Sequence, residues 1–266
     1  MYGYTWSQWL AFFYLYCFFG WCFESSYVSL HAKHFVNRGF LRGPVLPLYG
    51  SGGIMMLMIS SVFPGQYVSM FFLGMICATV LEYVTGVVME RIFKVRYWDY
   101  SGKKFNFGGY ICLESSIAWG VLTVIFTTVI NKPVERGITG IRQDLLEILV
   151  IFITVIFIFD MISSVRAALS LAKVLEAMTK ARAELDNLRV QLALAKADFK
   201  DASSNRIGQL KGTMEIRLAE LKAMPGTLKR IHKEILRGNP GAVSGKYADA
   251  FRELKEQIVT RHRNKF

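Results

Sequence analysis

The chain has 266 residues, of which 53% are hydrophobic and 14% aromatic, and it carries 32 Lys and Arg against 20 Asp and Glu, a formal charge of +12. Apolar residues concentrate before position 165. That excludes an ordinary water-soluble domain, and the chain reads as a membrane protein with a soluble tail. It opens MYGYTWSQ, with neither a basic start nor a small-residue cleavage site, so the first helix is expected to be retained.

A hydrocarbon core of about 30 Å takes about 20 helical residues. Runs 9–27, 67–90, 109–130 and 145–164 are long enough, and 45–63, interrupted by glycines, is counted as a fifth span. Lys33, Arg38 and Arg42 follow 9–27 and Arg91, Lys94, Arg96, Lys103 and Lys104 follow 67–90, whereas the turn PGQY between 45–63 and 67–90 is uncharged. Basic residues in short loops mark the cytoplasmic side. The expected protein is therefore a multi-pass cell-membrane protein with its N-terminus outside and its C-terminus inside.

Residues 1–164 form the expected transmembrane domain and 165–266 a cytoplasmic basic helical tail, in which 21 Lys and Arg against 11 Asp and Glu leave +10. The last span has no Gly or Pro at its exit and is predicted to run on as one helix. Leu171, Leu175, Met178, Ala181, Leu185, Leu188, Leu192, Ala195 and Phe199 recur at spacings of three and four, a coiled-coil-like stripe that needs a partner. A second stripe, Ile207, Leu210, Met214, Leu218 and Leu221, follows the break DASSN, so an antiparallel hairpin is expected, closed by Pro225 and Gly226. Shorter helices are predicted over 228–236 and 247–259. The fold class is thus all-α, with about five transmembrane helices and a C-terminal helical hairpin or bundle.

The tail's charges are interleaved in sign and no stacking-aromatic platform accompanies them, which argues against nucleic acid. LKRIHKEILR suits anionic headgroups, or simply the solvated face of a small bundle. The cysteines, Cys17, Cys22, Cys77 and Cys112, form no CxxC or His-flanked pattern, and neither a disulfide nor a metal is expected. No cofactor is implied, and GxSxG, HExxH and GxxxxGK[ST] are all missing. GSGG at 50–53, with Gly74 and Ala78, reads as small residues that let helices pack closely.

Acids inside the spans are costly and usually face one another or a watery cavity. At 1.5 Å per residue, Glu24, Glu82 and Asp160 lie about 22 Å into helices entering from outside, and Glu114 about 8 Å into a helix entering from the other side. All four fall at one level. Arg38, Arg42 and Arg96 are the nearby cations, and the expectation is either fixed ion pairs between helices or an inner-leaflet pocket. Its lining is expected from Glu24, Arg38, Arg42, Glu82, Glu90, Arg96, Asp99, Tyr100, Asn106 and Glu114.

GWCFESSY, NRGFLRGPVLPLYG, LEYVTGVVMERIF and RYWDYSGKKFNFGGYICLESSIAWG, in that order over about residues 10–130, resemble the ABC-transporter type IV, or CmpB-like, family of mostly bacterial membrane proteins. The resemblance implies a permease-like membrane domain, with a separate ATPase as a partner. The residues alone leave two alternatives. Asp99, Tyr100, Ser101 and Asn106 beside Glu90 and Glu114 offer acid/base groups for an enzyme acting on a lipid or lipid-linked headgroup. A scaffold whose tail recruits a cytoplasmic partner is the other. Membrane lipids are expected partners under every reading, and a homo-oligomer is compatible with each. No catalytic residue is assigned. In VRYWDYSGKKFNFGGY, 95–110, Tyr97, Trp98 and Tyr100 are expected at headgroup level, and Asp99 and Asn106 are expected to fold back toward Arg38, Arg42 and Glu114 as a roof.

Overall fold

The computed structural model describes residues 3–197 and 204–263. It is nearly all-α, 78% helical. Thr5 caps α1 (Trp6–Ala32) through a reciprocal pair of bonds with Gln8, and Lys33, left-handed at φ 56°, ends it. Pro47 opens α2 (Pro47–Val62), where its missing N–H costs nothing. α3 (Tyr67–Phe93) ends on Lys94, again left-handed. A tight hairpin, β1 (Asn106–Phe107) and β2 (Ile111–Cys112), leads into α4 (Leu113–Ile125). The run 109–130 therefore starts as strand, and its helix begins only at Leu113.

A π-helical turn, Phe126–Ile130, joins α4 to α5 (Asn131–Thr139). Here the hydroxyls of Thr127 and Thr128 bond back to the carbonyls of Thr123 and Val124, a local competition that widens a helical turn. α6 (Gln143–Ala197) is one 55-residue helix that leaves the apolar region unbroken, as its sequence predicts. α7 (Ser204–Ala223), a 3-10 turn at Met224–Thr227, α8 (Arg230–Gly238) and α9 (Ala248–Arg263) complete the chain.

Among the described residues, three helical stretches are long and apolar enough to cross a membrane: Tyr67–Phe93, Leu113–Thr139 and Gln143–Lys196. The expected count of five is not reached on that measure. α2 has 16 residues, about 24 Å of helix. α1 is long enough, but its Trp and Tyr rings, its serines and Glu24 make it less apolar than the other three.

Glycines set the spacing of the helix pairs. A β-carbon at Gly50 would sit 2.3 Å from Cys17 Sγ, one at Gly53 2.5 Å from the Tyr16 ring, and one at Gly74 2.2 Å from Thr123 Oγ1. Close approach of α1 to α2 and of α3 to α4 therefore depends on the missing side chains, as GSGG suggests. Polar bonds join the same core: the Tyr16 hydroxyl donates to Asn131 Oδ1 at 2.5 Å and the Tyr14 hydroxyl to Thr154 Oγ1 at 2.8 Å.

α7 lies against α6, with Leu185, Leu218 and Leu221 lining one shallow cleft and Arg217 3.4 Å from Glu184. The stripe is nonetheless covered differently from the expectation. Its first part, Leu171, Leu175 and Met178, is buried under α8 and α9 by Leu228, Ile235, Leu236, Phe251 and Leu254, while Leu188, Leu192 and the α7 stripe are only half-buried. Phe199 and residues 201–203 lie outside the described residues. The same apolar cluster includes Phe93, Val95 and Tyr97, so the C-terminal helices pack on the loop that follows α3.

Candidate functional site

The charged loops 33–46 and 94–112, α6 around Asp160 and the segment 232–247 meet one another. Asp160 shows how. On α6, its carboxylate accepts the backbone N–H groups of Gly43 at 2.8 Å and Arg42 at 3.2 Å, so an acid inside an apolar helix holds the loop between α1 and α2. Arg42 itself reaches Glu234 of α8 at 3.4 Å.

Glu82, 4% exposed, is the most buried acid among the described residues. It accepts from the Tyr100 hydroxyl at 3.1 Å, Trp119 Nε1 at 3.1 Å and Ser115 Oγ at 3.4 Å. The expectation placed an arginine against it, but its partners are three neutral donors from the loop and α4. Three hydrogen bonds replace the water a buried carboxylate loses. The ion pair belongs to Glu24, which lies 3.6 Å from Arg38 and also accepts the Tyr49 hydroxyl at 2.7 Å. Tyr49 packs on Trp119 at 5.5 Å between ring centroids, so the two acids share one wall: Glu24, Tyr49, Trp119, Glu82.

A second cluster is built on Arg96. Its guanidinium donates to Glu90 at 2.8 Å, to Asp99 at 3.3 Å and to the Gly108 carbonyl at 2.8 Å, and stacks on the Tyr110 ring at 4.2 Å. Partial burial works against its charge, but Glu90 outweighs this and holds its pKa above the usual value. Gly109, at φ +73°, is required here, because a β-carbon would lie 2.3 Å from the guanidinium. Asp99 also accepts the N–H and hydroxyl of Ser101, and Asn106 bonds the carbonyls of Ser101 and Lys103 and the N–H of Gly109. Both residues thus close the hairpin on itself rather than reaching toward Arg38, Arg42 and Glu114. Glu114 stands apart, 72% exposed and bonded to Lys103 at 2.9 Å.

The aromatic residues of this loop turn inward as well. Tyr97 is buried, Trp98 donates to the Tyr110 carbonyl, and Tyr100 serves Glu82. Burial pushes the Tyr100 hydroxyl far above its ordinary pKa, and the neighbouring Glu82 charge raises it further, so it stays a donor. Phe105 and Phe107 are the exposed rings instead, at 81% and 64%.

Sequence reasoning missed Tyr49, Ser115, Trp119 and Asn239. The first three sit on the wall between Glu24 and Glu82; Tyr49 and Trp119 lie a helix turn or more from any charge in sequence, and Ser115 directly follows Glu114. Asn239, 2% exposed, accepts from Arg38 Nη1 at 2.5 Å and donates to the carbonyls of Gly39 and Ile235, both at 2.9 Å. Segment 239–247 also forms an antiparallel bridge, Arg96 to Val243, and Ser244 donates to the Lys94 carbonyl at 2.6 Å. Arg38 and Arg96, one in each loop, are therefore tied through the tail.

Among the described residues no cluster of three His, Cys, Asp or Glu has the arrangement of a metal site. The four cysteines are free thiols. Chemically the region holds a hydrogen-bonded carboxylate, an ion pair and tyrosine and serine hydroxyl donors.

No curated protein and no solved structure matches the chain. One family profile does, over residues 11–165, which includes every residue of the Glu24 to Glu82 wall and both arginine clusters but not Asn239. That match covers more than half of the chain, and the chain belongs to the family described as "Putative ABC-transporter type IV".

Proposed function

We propose that the protein is a permease-like component of a multi-pass membrane transporter, in which the polar wall from Glu24 to Glu82 handles an anionic or zwitterionic, lipid-like molecule at the inner leaflet. The observation that carries this reading is the connection of a buried carboxylate, Glu82, to the Arg38–Glu24 pair through Tyr49 and Trp119. Charged and polar groups at membrane depth are retained where they serve a pathway or binding site. In this reading α1 and α2 complete a five-helix membrane unit with the N-terminus outside. The α6 to α9 region is cytoplasmic, and its free surface is where a separate ATPase engages. Glu90, Arg96, Asp99 and Asn106 hold the loop that presents Tyr100, while Arg42 and Glu114 stand at the rim.

The test uses phosphatidylglycerol and phosphatidylethanolamine as probes, added to purified protein in detergent while thermal unfolding is followed. Wild type is expected to gain stability from one of the two lipids, and Arg38→Ala and Glu82→Gln to lose most of that gain. Identical melting and identical lipid response of all three proteins would remove the site. Mass spectrometry of the lipid after incubation decides between transport and chemistry: a changed headgroup would move the enzyme reading ahead.

A further inference from the structure

The stretch SGKKFNF, 101–107, is exposed throughout, and none of the residues assigned to the polar wall lies in it. It is not loose. Asn106 closes the turn with three side-chain bonds, Phe107 pairs across the ladder with Ile111, and the Leu113 N–H bonds the Phe105 carbonyl at 3.2 Å. Phe105 is held at φ 52°, a left-handed conformation that bulky residues seldom adopt, and the outcome is a ring 81% exposed. Phe107 touches Tyr83 at 5.6 Å between centroids yet remains 64% exposed. A well-bonded hairpin that presents two phenyl rings to water leaves a large hydrophobic contribution unused.

Position and charge identify what covers them. Phe107 faces Ile111, two residues before α4 begins at Leu113. By strand geometry its ring lies within about 12 Å of the first turn of that helix. Of the two lysines between the turn and the rings, Lys103 is bonded to Glu114, and Lys104 has no acid partner among the described residues. Phenyl rings beside a lysine, at the mouth of an apolar helix, match the boundary of an anionic bilayer, where rings enter the acyl edge and ammonium groups meet phosphate.

We propose that the β1–β2 hairpin is a membrane-surface anchor, with Phe105 and Phe107 inserted at the headgroup boundary and Lys104 against anionic phospholipid. It rests on the reading that α3 and α4 cross the membrane. Since the hairpin also delivers Tyr100 to Glu82, lipid charge bears on the polar wall through it.

Hydrogen exchange of the full-length protein tests this, in nanodiscs of phosphatidylcholine alone and of phosphatidylcholine with phosphatidylglycerol. Amides of 101–107 are expected to exchange about fivefold more slowly with phosphatidylglycerol present, and Phe105→Ser and Lys104→Gln each to abolish most of the difference. Both side chains are exposed, so these variants keep the fold, and unchanged exchange in α8 verifies it. Equal exchange in the two lipids with α3 and α4 protected overturns the anchor alone. Free exchange of α3 and α4 overturns the membrane-crossing reading and the anchor with it. Slowing that persists in both variants assigns the cover to a protein surface and also overturns the anchor.

Discussion

Asn239 Oδ1 accepts a hydrogen bond from Arg38 Nη1 at 2.5 Å across 201 positions of sequence, and the same amide donates to the Gly39 carbonyl. One buried side chain at the C-terminal cap of α8 thereby fixes both the guanidinium and the backbone beside it. Removing it leaves a charged donor and a carbonyl unpaired, and α8 loses its bond to the Ile235 carbonyl. Asn239→Ala is expected to cost about 2 to 3 kcal/mol, at the upper end for a buried group serving a charge. In a double-mutant cycle with Arg38→Ala, measured by thermal unfolding, a coupling of about 1 kcal/mol or more is expected. Strict additivity would mean that the bond contributes nothing.

Glu82→Gln keeps the shape of the side chain but replaces an acceptor oxygen by an amide donor facing Tyr100, Ser115 or Trp119. At least one of these donors must lose its acceptor. A loss of about 1 to 3 kcal/mol is expected, and in the double variant with Tyr100→Phe the loss is expected to be smaller than the sum of the two single losses. Equal stability of Glu82→Gln and wild type would show that Glu82 is already protonated or solvated.

Tyr97 offers the opposite sign. Its hydroxyl is buried and has no hydrogen-bond partner among the described residues, while its ring packs edge-on against Phe40 and Phe93. Tyr97→Phe keeps the packing and removes an unsatisfied polar atom, so a gain of up to about 1 kcal/mol is expected. Thermal unfolding decides, and a clear loss would reveal a partner for the hydroxyl.

His232 gives the docking of α8 a pH dependence. It is 3% exposed, it accepts the Lys229 N–H through Nδ1 at 3.2 Å, and burial, helped by the Lys229 charge, lowers its pKa below 6.5. The unfolded chain then binds the proton more readily than the folded one. Its stabilising contribution is therefore full above pH 6.5 and is lost as pH falls through the folded value. Exchange of α8 amides is expected to quicken between pH 7 and 5, and His232→Gln is expected to flatten that profile.

What the sequence made legible follows from periodicity and charge. The unbroken course of α6, the glycine contacts and the convergence of basic loops each rest on local pattern, which the fold respects. The arginine partners were not legible, because a cation's nearest acid in space is not its nearest in sequence. Glu24 finds Arg38, but Glu82 finds a tyrosine, a serine and a tryptophan. Asn239 gave no signal at all: a single amide in a polar tail resembles any solvated residue until the fold sets it against Arg38 and the Gly39 carbonyl. The inward turn of Tyr97, Trp98 and Tyr100, with Phe105 and Phe107 turned out, is fixed by hairpin geometry that composition does not encode.

α6 contains no glycine or proline over its 55 residues and is gripped about a third of the way along by the loop that Asp160 holds. From that grip the rod extends about 26 Å toward Gln143 and about 56 Å toward Ala197. The short arm carries the face where Tyr14 meets Thr154 and Leu146 and Val150 are buried, and the long arm carries Leu171, Leu175 and Met178 under the C-terminal helices, so one rigid rod joins the two cores.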